Sequence, residues 1–137
     1  MAEAALVIEQ LTQDMIDQGA QLVVRLDKLR ISVRVAMWFL DDETGQWRLL
    51  LACPEIRTIG PKALYKRVRS ILLKMSNPYS IPLDRIAIMD PQSRVFKSFI
   101  GVIGTSEEIS GIRFTNNVIN GLRITDAYIY RQTLRRA

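Results

Sequence analysis

Histidine is absent from the 137 residues of this chain. Its absence removes the usual general base near neutral pH, every Ser-His or Cys-His nucleophile pair and the commonest transition-metal ligand. Most hydrolase mechanisms are thereby excluded. There is one cysteine, Cys53, so no internal disulfide forms, which suits a reducing compartment. Without histidine beside it, a zinc site would have to be assembled almost entirely from carboxylates, against that metal's preference. Long apolar runs are also missing. In the N-terminal stretch MAEAALVIEQLTQDM the longest is AALVI, and no basic leader region precedes it. The expectation is a soluble, cytoplasmic protein that does not engage a membrane.

The nucleotide loops are lacking too. GVIGTS, residues 101–106, has two glycines but not the Gly-Lys-Ser/Thr ending that grips phosphate, and no GxGxxG occurs. These glycines suit the end of a helix and a turn. No RNP-like, zinc-finger or helix-turn-helix signature is present, which argues against sequence-specific nucleic-acid recognition. Nothing in the sequence asks for a cofactor.

What is present reads as one globular domain. Apolar residues make up 48% and charged residues 24%, with no Pro/Ser/Gly tract and no short repeat. That length buries one continuous core. The expected organisation is a single α+β domain over residues 1–130 followed by a basic C-terminal tail, 131–137.

Periodicity predicts the elements. Ile8, Met15, Leu22 and Leu29 recur every seven residues, with Leu11 and Leu26 beside them, which predicts one helix over 3–29, dented at Gly19. RISVRVAMWFL alternates, with Ile31, Val33, Val35, Met37 and Phe39 on one face and Ser32, Arg34, Ala36, Trp38 and Leu40 on the other. The polar turn DDETGQ and the apolar WRLLLAC complete a hairpin over 31–53. Pro61 at a first helical position opens KALYKRVRSILLKM, a second helix. LDRIAIMD reads as a short buried strand. Asp90-Pro91 looks like the start of a third helix over 91–102, although Val95, Phe96, Phe99 and Ile100 also suit a strand. Thr105 and Glu108 have the spacing to cap a single turn. Asn120-Gly121 marks a tight hairpin between two β-rich arms, the first interrupted by Asn116 and Asn117. The order α-β-β-α-β-α-β-β predicts a mixed sheet of about five strands, built from two hairpins and a connecting strand, with two to three helices packed on it. The helix-linked strands allow a parallel pair in the middle of that sheet.

Charge is the remaining signal. The formal net charge is +5, and the cations are unevenly placed. The first 23 residues hold Glu3, Glu9, Asp14 and Asp17 and no cation, whereas the second helix carries Lys62, Lys66, Arg67, Arg69 and Lys74 and no acid. Arg131, Arg135 and Arg136 extend the basic character into the tail. On the helix Leu64, Val68, Ile71, Leu72 and Met75 share one face, Lys62, Lys66 and Arg69 form an opposite stripe, and Arg67 and Lys74 a row beside it. These eight cations are the candidate surface for an anionic partner.

Three functional readings follow. The leading one is a small non-catalytic binding or regulatory protein that acts through a protein partner or self-association, for which the acidic first helix and basic second helix are complementary. The alternative is a non-sequence-specific nucleic-acid binder using the helix at 62–74 and phosphate contacts. Base stacking has fewer resources, since Trp38, Trp47, Tyr65, Tyr79, Tyr128 and Tyr130 suit core and cross-strand positions better. A distant third is a metal-dependent phosphodiesterase, with Asp84 or Asp90 converging on Glu107 or Glu108. The acidic DDETG, residues 41–45, reads as a solvated hairpin tip rather than a cation loop. Cys53 reads as a small apolar strand-end residue rather than a thiol activated by Arg48 or Arg57.

Overall fold

The computed structural model describes residues 7–75, 79–98, 100, 103–119 and 121–135. Helix α1 spans Gln13–Lys28, and the hairpin strands β1 and β2 span Val35–Asp41 and Gln46–Ala52. Helix α2 spans Pro61–Met75, followed by β3 at Ile86–Met89, β4 at Ile112–Ile119 and β5 at Leu122–Gln132. The five strands form one mixed sheet in the order β3-β2-β1-β5-β4. All neighbours are antiparallel except β2 and β3, joined through α2 and paired in parallel. That parallel pair lies at the sheet's edge rather than in its middle. The predicted α+β class and two hairpins are therefore present.

The hairpins form for the reasons their sequences suggest. Strand β1 directs Ala36 and Trp38 to one face and Val35 and Met37 to the other, and β2 does the same with Leu49 and Leu51 against Leu50 and Ala52. Helices α1 and α2 cover the first face, and Leu64, Val68, Ile71, Leu72 and Met75 of α2 are buried there, as the wheel predicts. On the second face Phe96 and Ile103 pack against Val35, Met37, Leu50 and Ala52. Alternation fails before Val35. Ile31 and Val33 join the helix-side core with Ala36, and Val33 N–H bonds Ile31 C=O in a tight bend, so the strand starts four residues later than its pattern suggests.

Helix α1 is shorter than the seven-residue recurrence predicts. Thr12 is extended (φ −90°, ψ 160°) and its hydroxyl accepts from Met15 N–H, which ends the helix there; residues 7–12 lie outside it, and 3–6 lie outside the described residues. The preceding chain is drawn away by β2: Glu9 N–H donates to Gly45 C=O, and Trp47 donates its backbone N–H to the Glu9 carboxylate and its indole N–H to the Glu9 carbonyl. Ile8 and Leu29, the outer members of the recurrence, are 60% and 56% exposed. At the far end Ile31 N–H bonds Leu26 C=O and Arg30 N–H bonds Asp27 C=O, a Schellman closure in which Arg30 takes the left-handed conformation at φ 60°.

The third helix does not form. Asp90 accepts from Gln92 N–H through its side chain and from Ser93 N–H through its carbonyl, and one 3₁₀ turn, Arg94–Ser98, follows. Docking the fully buried Phe96 on the sheet needs only that turn. Phe99, Gly101 and Val102 lie outside the described residues. Thr105 caps no helix either, since its hydroxyl accepts from Gln132 N–H and donates to Ser106 C=O.

Strand β5 carries two irregularities. Its pairing with β1 shifts register at Ala36/Met37, which leaves Tyr130 as an extra residue. Tyr130 and Arg131 consequently both turn toward α1. Nearer the Gly121 turn (φ 82°), Asn116 has φ 49° between the pairs Thr115↔Asp126 and Asn117↔Ile124. There the alternation of β5 slips, because Ala127 and Ile129 but also Ile124 face the second core. The interruption at Asn116 and Asn117 is thus a local kink within a continuous strand pair; Asn120 lies outside the described residues.

Two stability predictions follow from this backbone. Replacing Arg30 by glycine should raise stability by about 1 kcal/mol in urea unfolding, because a left-handed L-residue carries a cost that glycine lacks. Gly19→Ala should lose roughly 2 kcal/mol in the same assay, because the added Cβ would overlap the Tyr130 hydroxyl and crowd Trp38 Nε1 at 2.9 Å.

Candidate functional site: two basic surfaces

Pro61 starts α2 where a missing N–H costs nothing, and the buried apolar row fixes its rotation against the sheet. That rotation turns Lys62, Lys66, Arg67, Arg69 and Lys74 outward, and all five are exposed. The described residues contain ion pairs at Arg48, Arg57, Arg85, Arg113 and Arg131, and none of them involves an α2 cation. Leu73 lies four residues beyond Arg69 on the same stripe and is 65% exposed. The helix thus presents a convex cationic strip with an apolar residue at one end.

The other predicted cations separate. Arg131 is not in a tail but in β5, where it is buried, and its guanidinium donates to both Asp27 carboxylate oxygens at 3.0 and 2.8 Å and to Val33 C=O at 3.2 Å. The reason is the bulge at Tyr130, which turns Arg131 inward. The domain accordingly continues through Gln132, whose buried side chain accepts from Leu134 N–H and donates to Ile103 C=O. Arg135 is exposed, and Arg136 lies outside the described residues.

A second basic surface is concave and was not legible in the sequence. Arg34, Arg57, Lys97 and Arg135 line a cavity of about 750 Å³, and among the described residues no acid is in its wall. The four come from the approach to β1, the turn after β2, the 3₁₀ turn at 94–98 and the chain beyond β5. Only Arg135 belonged to the predicted cluster. No spacing rule connects the rest, because each lies in a different segment and the topology alone gathers them.

The other side chains singled out by the sequence are mostly buried or paired. Cys53 is buried at the end of β2, and burial, followed by the charge of Glu55, pushes its thiol from the usual 9.0 up to about 12. Trp38, Trp47 and Tyr130 are buried in the core, so they offer no platform to a nucleobase. Tyr65 is partly buried and its hydroxyl accepts from Ile88 N–H, while Tyr128 packs edge-on against Tyr130 at 5.3 Å. Asp41 pairs with Arg48, Asp42 accepts from the Thr125 hydroxyl and Asp90 pairs with Arg57. Among the described residues no three Cys, Asp or Glu gather into a set able to hold a metal ion, so Asp84, Asp90, Glu107 and Glu108 do not converge on a two-metal geometry. Among them, also, no helix is long and apolar enough to cross a membrane.

No model of a known protein family, no curated protein and no solved structure matches the chain.

The raised thiol predicts an alkaline response with a definite sign. Cys53 holds its proton more tightly folded than unfolded, so that stabilisation is complete below about pH 9 and is lost as pH rises toward 12. Tyr130, also raised chiefly by burial, acts in the same direction. Unfolding free energy should fall by about 1.4 kcal/mol per pH unit for each such group, starting above about pH 9 for Cys53 and above about pH 10 for Tyr130, and less steeply in Cys53→Ala. Thiol reagents at pH 8 should label the protein only in denaturant.

Proposed function

We propose that this is a non-catalytic binding protein whose α2 strip docks against an acidic surface of a protein partner. The observation that carries the reading is the composition of the strip: five exposed cations without an acid, continued by an exposed leucine. Like charges at helical spacing repel by a few tenths of a kcal/mol per pair, a cost relieved when an acidic surface covers them. A leucine contributes little to phosphate contacts, whereas a protein partner can cover an apolar residue beside charged ones. The buried tryptophans and Tyr130 further favour protein over single-stranded nucleic acid, which is held by base stacking as well as charge.

The test compares the wild-type chain with Lys62→Glu/Lys66→Glu/Arg69→Glu and with Leu73→Glu. All four positions are exposed, so both variants should keep the native circular dichroism spectrum. A photo-crosslinker at Ser70, also exposed, should trap a defined acidic protein in cells, and both variants should reduce that product about tenfold or more. Fluorescence anisotropy with labelled DNA and RNA at ~50 and ~200 mM salt provides the opposing result. Salt-sensitive binding abolished by the triple variant but indifferent to Leu73→Glu would make α2 a phosphate-binding surface and overturn the proposal.

A further inference from the structure

We infer that the concavity formed by Arg34, Arg57, Lys97 and Arg135 binds a phosphorylated small molecule of nucleotide size. Its volume of about 750 Å³ falls within the range of small-molecule sites, roughly 300–1,000 Å³, and exceeds what a lone inorganic anion fills.

The charge pattern selects the ligand's polar end. Of the four cations only Arg57 has an ion-pair partner among the described residues, Asp90 at 3.3 Å. Arg34, Lys97 and Arg135 have none there, and no acid among the described residues lines the cavity. A monocarboxylate neutralises one such charge, whereas a phosphate or diphosphate carries two to three and accepts from several guanidinium donors at once. Concave walls of one sign also concentrate the field where a convex helix disperses it. The uncharged part of the wall selects the rest of the ligand. Pro54, Pro91, Ile100 and Leu134 provide an apolar side on which a flat ring can lie, and Gln92 and Ser93 supply polar groups at its border.

The walls are held in place before any ligand arrives. Arg34 N–H donates to Ala52 C=O at 2.8 Å, and Arg34 C=O accepts both the N–H and the hydroxyl of Thr133 at 2.9 Å, tying the approach to β1 to the chain beyond β5. Leu134 N–H is fixed on the Gln132 side chain, and the 90–93 turn is closed on Asp90. The backbone at Arg34 and next to Arg135 is therefore held by hydrogen bonds, and what remains to be immobilised there on binding is mainly side chain.

Isothermal titration calorimetry of the full chain at ~50 mM salt tests this with ADP, adenosine, pyrophosphate and a 5′-phosphorylated dinucleotide. ADP should bind measurably and adenosine should not, and pyrophosphate should bind at least about tenfold more weakly than ADP because it leaves the apolar wall unused. Arg34→Glu/Arg135→Glu, at two exposed positions, should abolish ADP binding, whereas the α2 triple variant should leave it unchanged, so this site and the α2 strip fail or stand separately. Amide shifts on ADP addition should localise to residues 34, 92–97 and 133–135. ADP tighter than the dinucleotide identifies a free nucleotide-like molecule and supports the inference, whereas the reverse identifies a phosphorylated nucleic-acid end and overturns it. It is overturned if no phosphate probe binds at ~1 mM, if pyrophosphate equals ADP (an adventitious ion only), or if the Arg34/Arg135 variant binds ADP as the wild type does.

Discussion

The extra residue in β5 governs how the helices and the sheet meet. Tyr130 is squeezed out of register with β1, and its hydroxyl accepts from the Trp38 indole at 2.9 Å while donating to Ile16 C=O at 2.6 Å. Two adjacent central strands are thereby joined to the backbone of α1 in one buried chain of hydrogen bonds. Such a chain stabilises only when every member is satisfied, and here the hydroxyl uses both its donor and an acceptor site. Gly19 makes it feasible, since a side chain at that position would occupy the space of the hydroxyl. Next in the chain, Arg131 is delivered by the same bulge to Asp27, pinning the other end of α1.

A second buried polar group completes the helix layer. Gln18 of α1 donates to Met75 C=O and Tyr79 C=O and accepts from Ile81 N–H. It satisfies a carbonyl left over at the end of α2 and holds the chain that leads into β3. The position of α2 thus depends on α1 as well as on its own apolar row. The cationic strip of α2 faces outward because both attachments are on the opposite side.

The two basic surfaces have different physical characters. The α2 strip is convex and in full solvent, where salt screens each charge within about 8 Å at physiological ionic strength, so it suits an extended acidic surface making many weak contacts. The concavity gathers four exposed cations from separate segments beside apolar residues. The two surfaces are built from separate sets of side chains, α2 for one and four other segments for the other.

Local patterns in the sequence determined the two hairpins and the rotation of α2, because alternation, helical spacing, Pro61 and the Gly121 turn each act within a few residues. The same locality made the strip of Lys62, Lys66, Arg67, Arg69 and Lys74 legible. Where local and distant preferences compete, the distant ones prevailed: Glu9 is bound by Trp47 and Arg85 rather than continuing a helix, and Phe96 is satisfied by a single turn over the sheet. Only the tertiary structure decided that Arg131 is buried while Arg135 is not, since one register shift in β5 settles it. Only the strand order brings Arg34, Arg57, Lys97 and Arg135 around one cavity, because no periodicity links segments that meet solely through the pairing of distant strands.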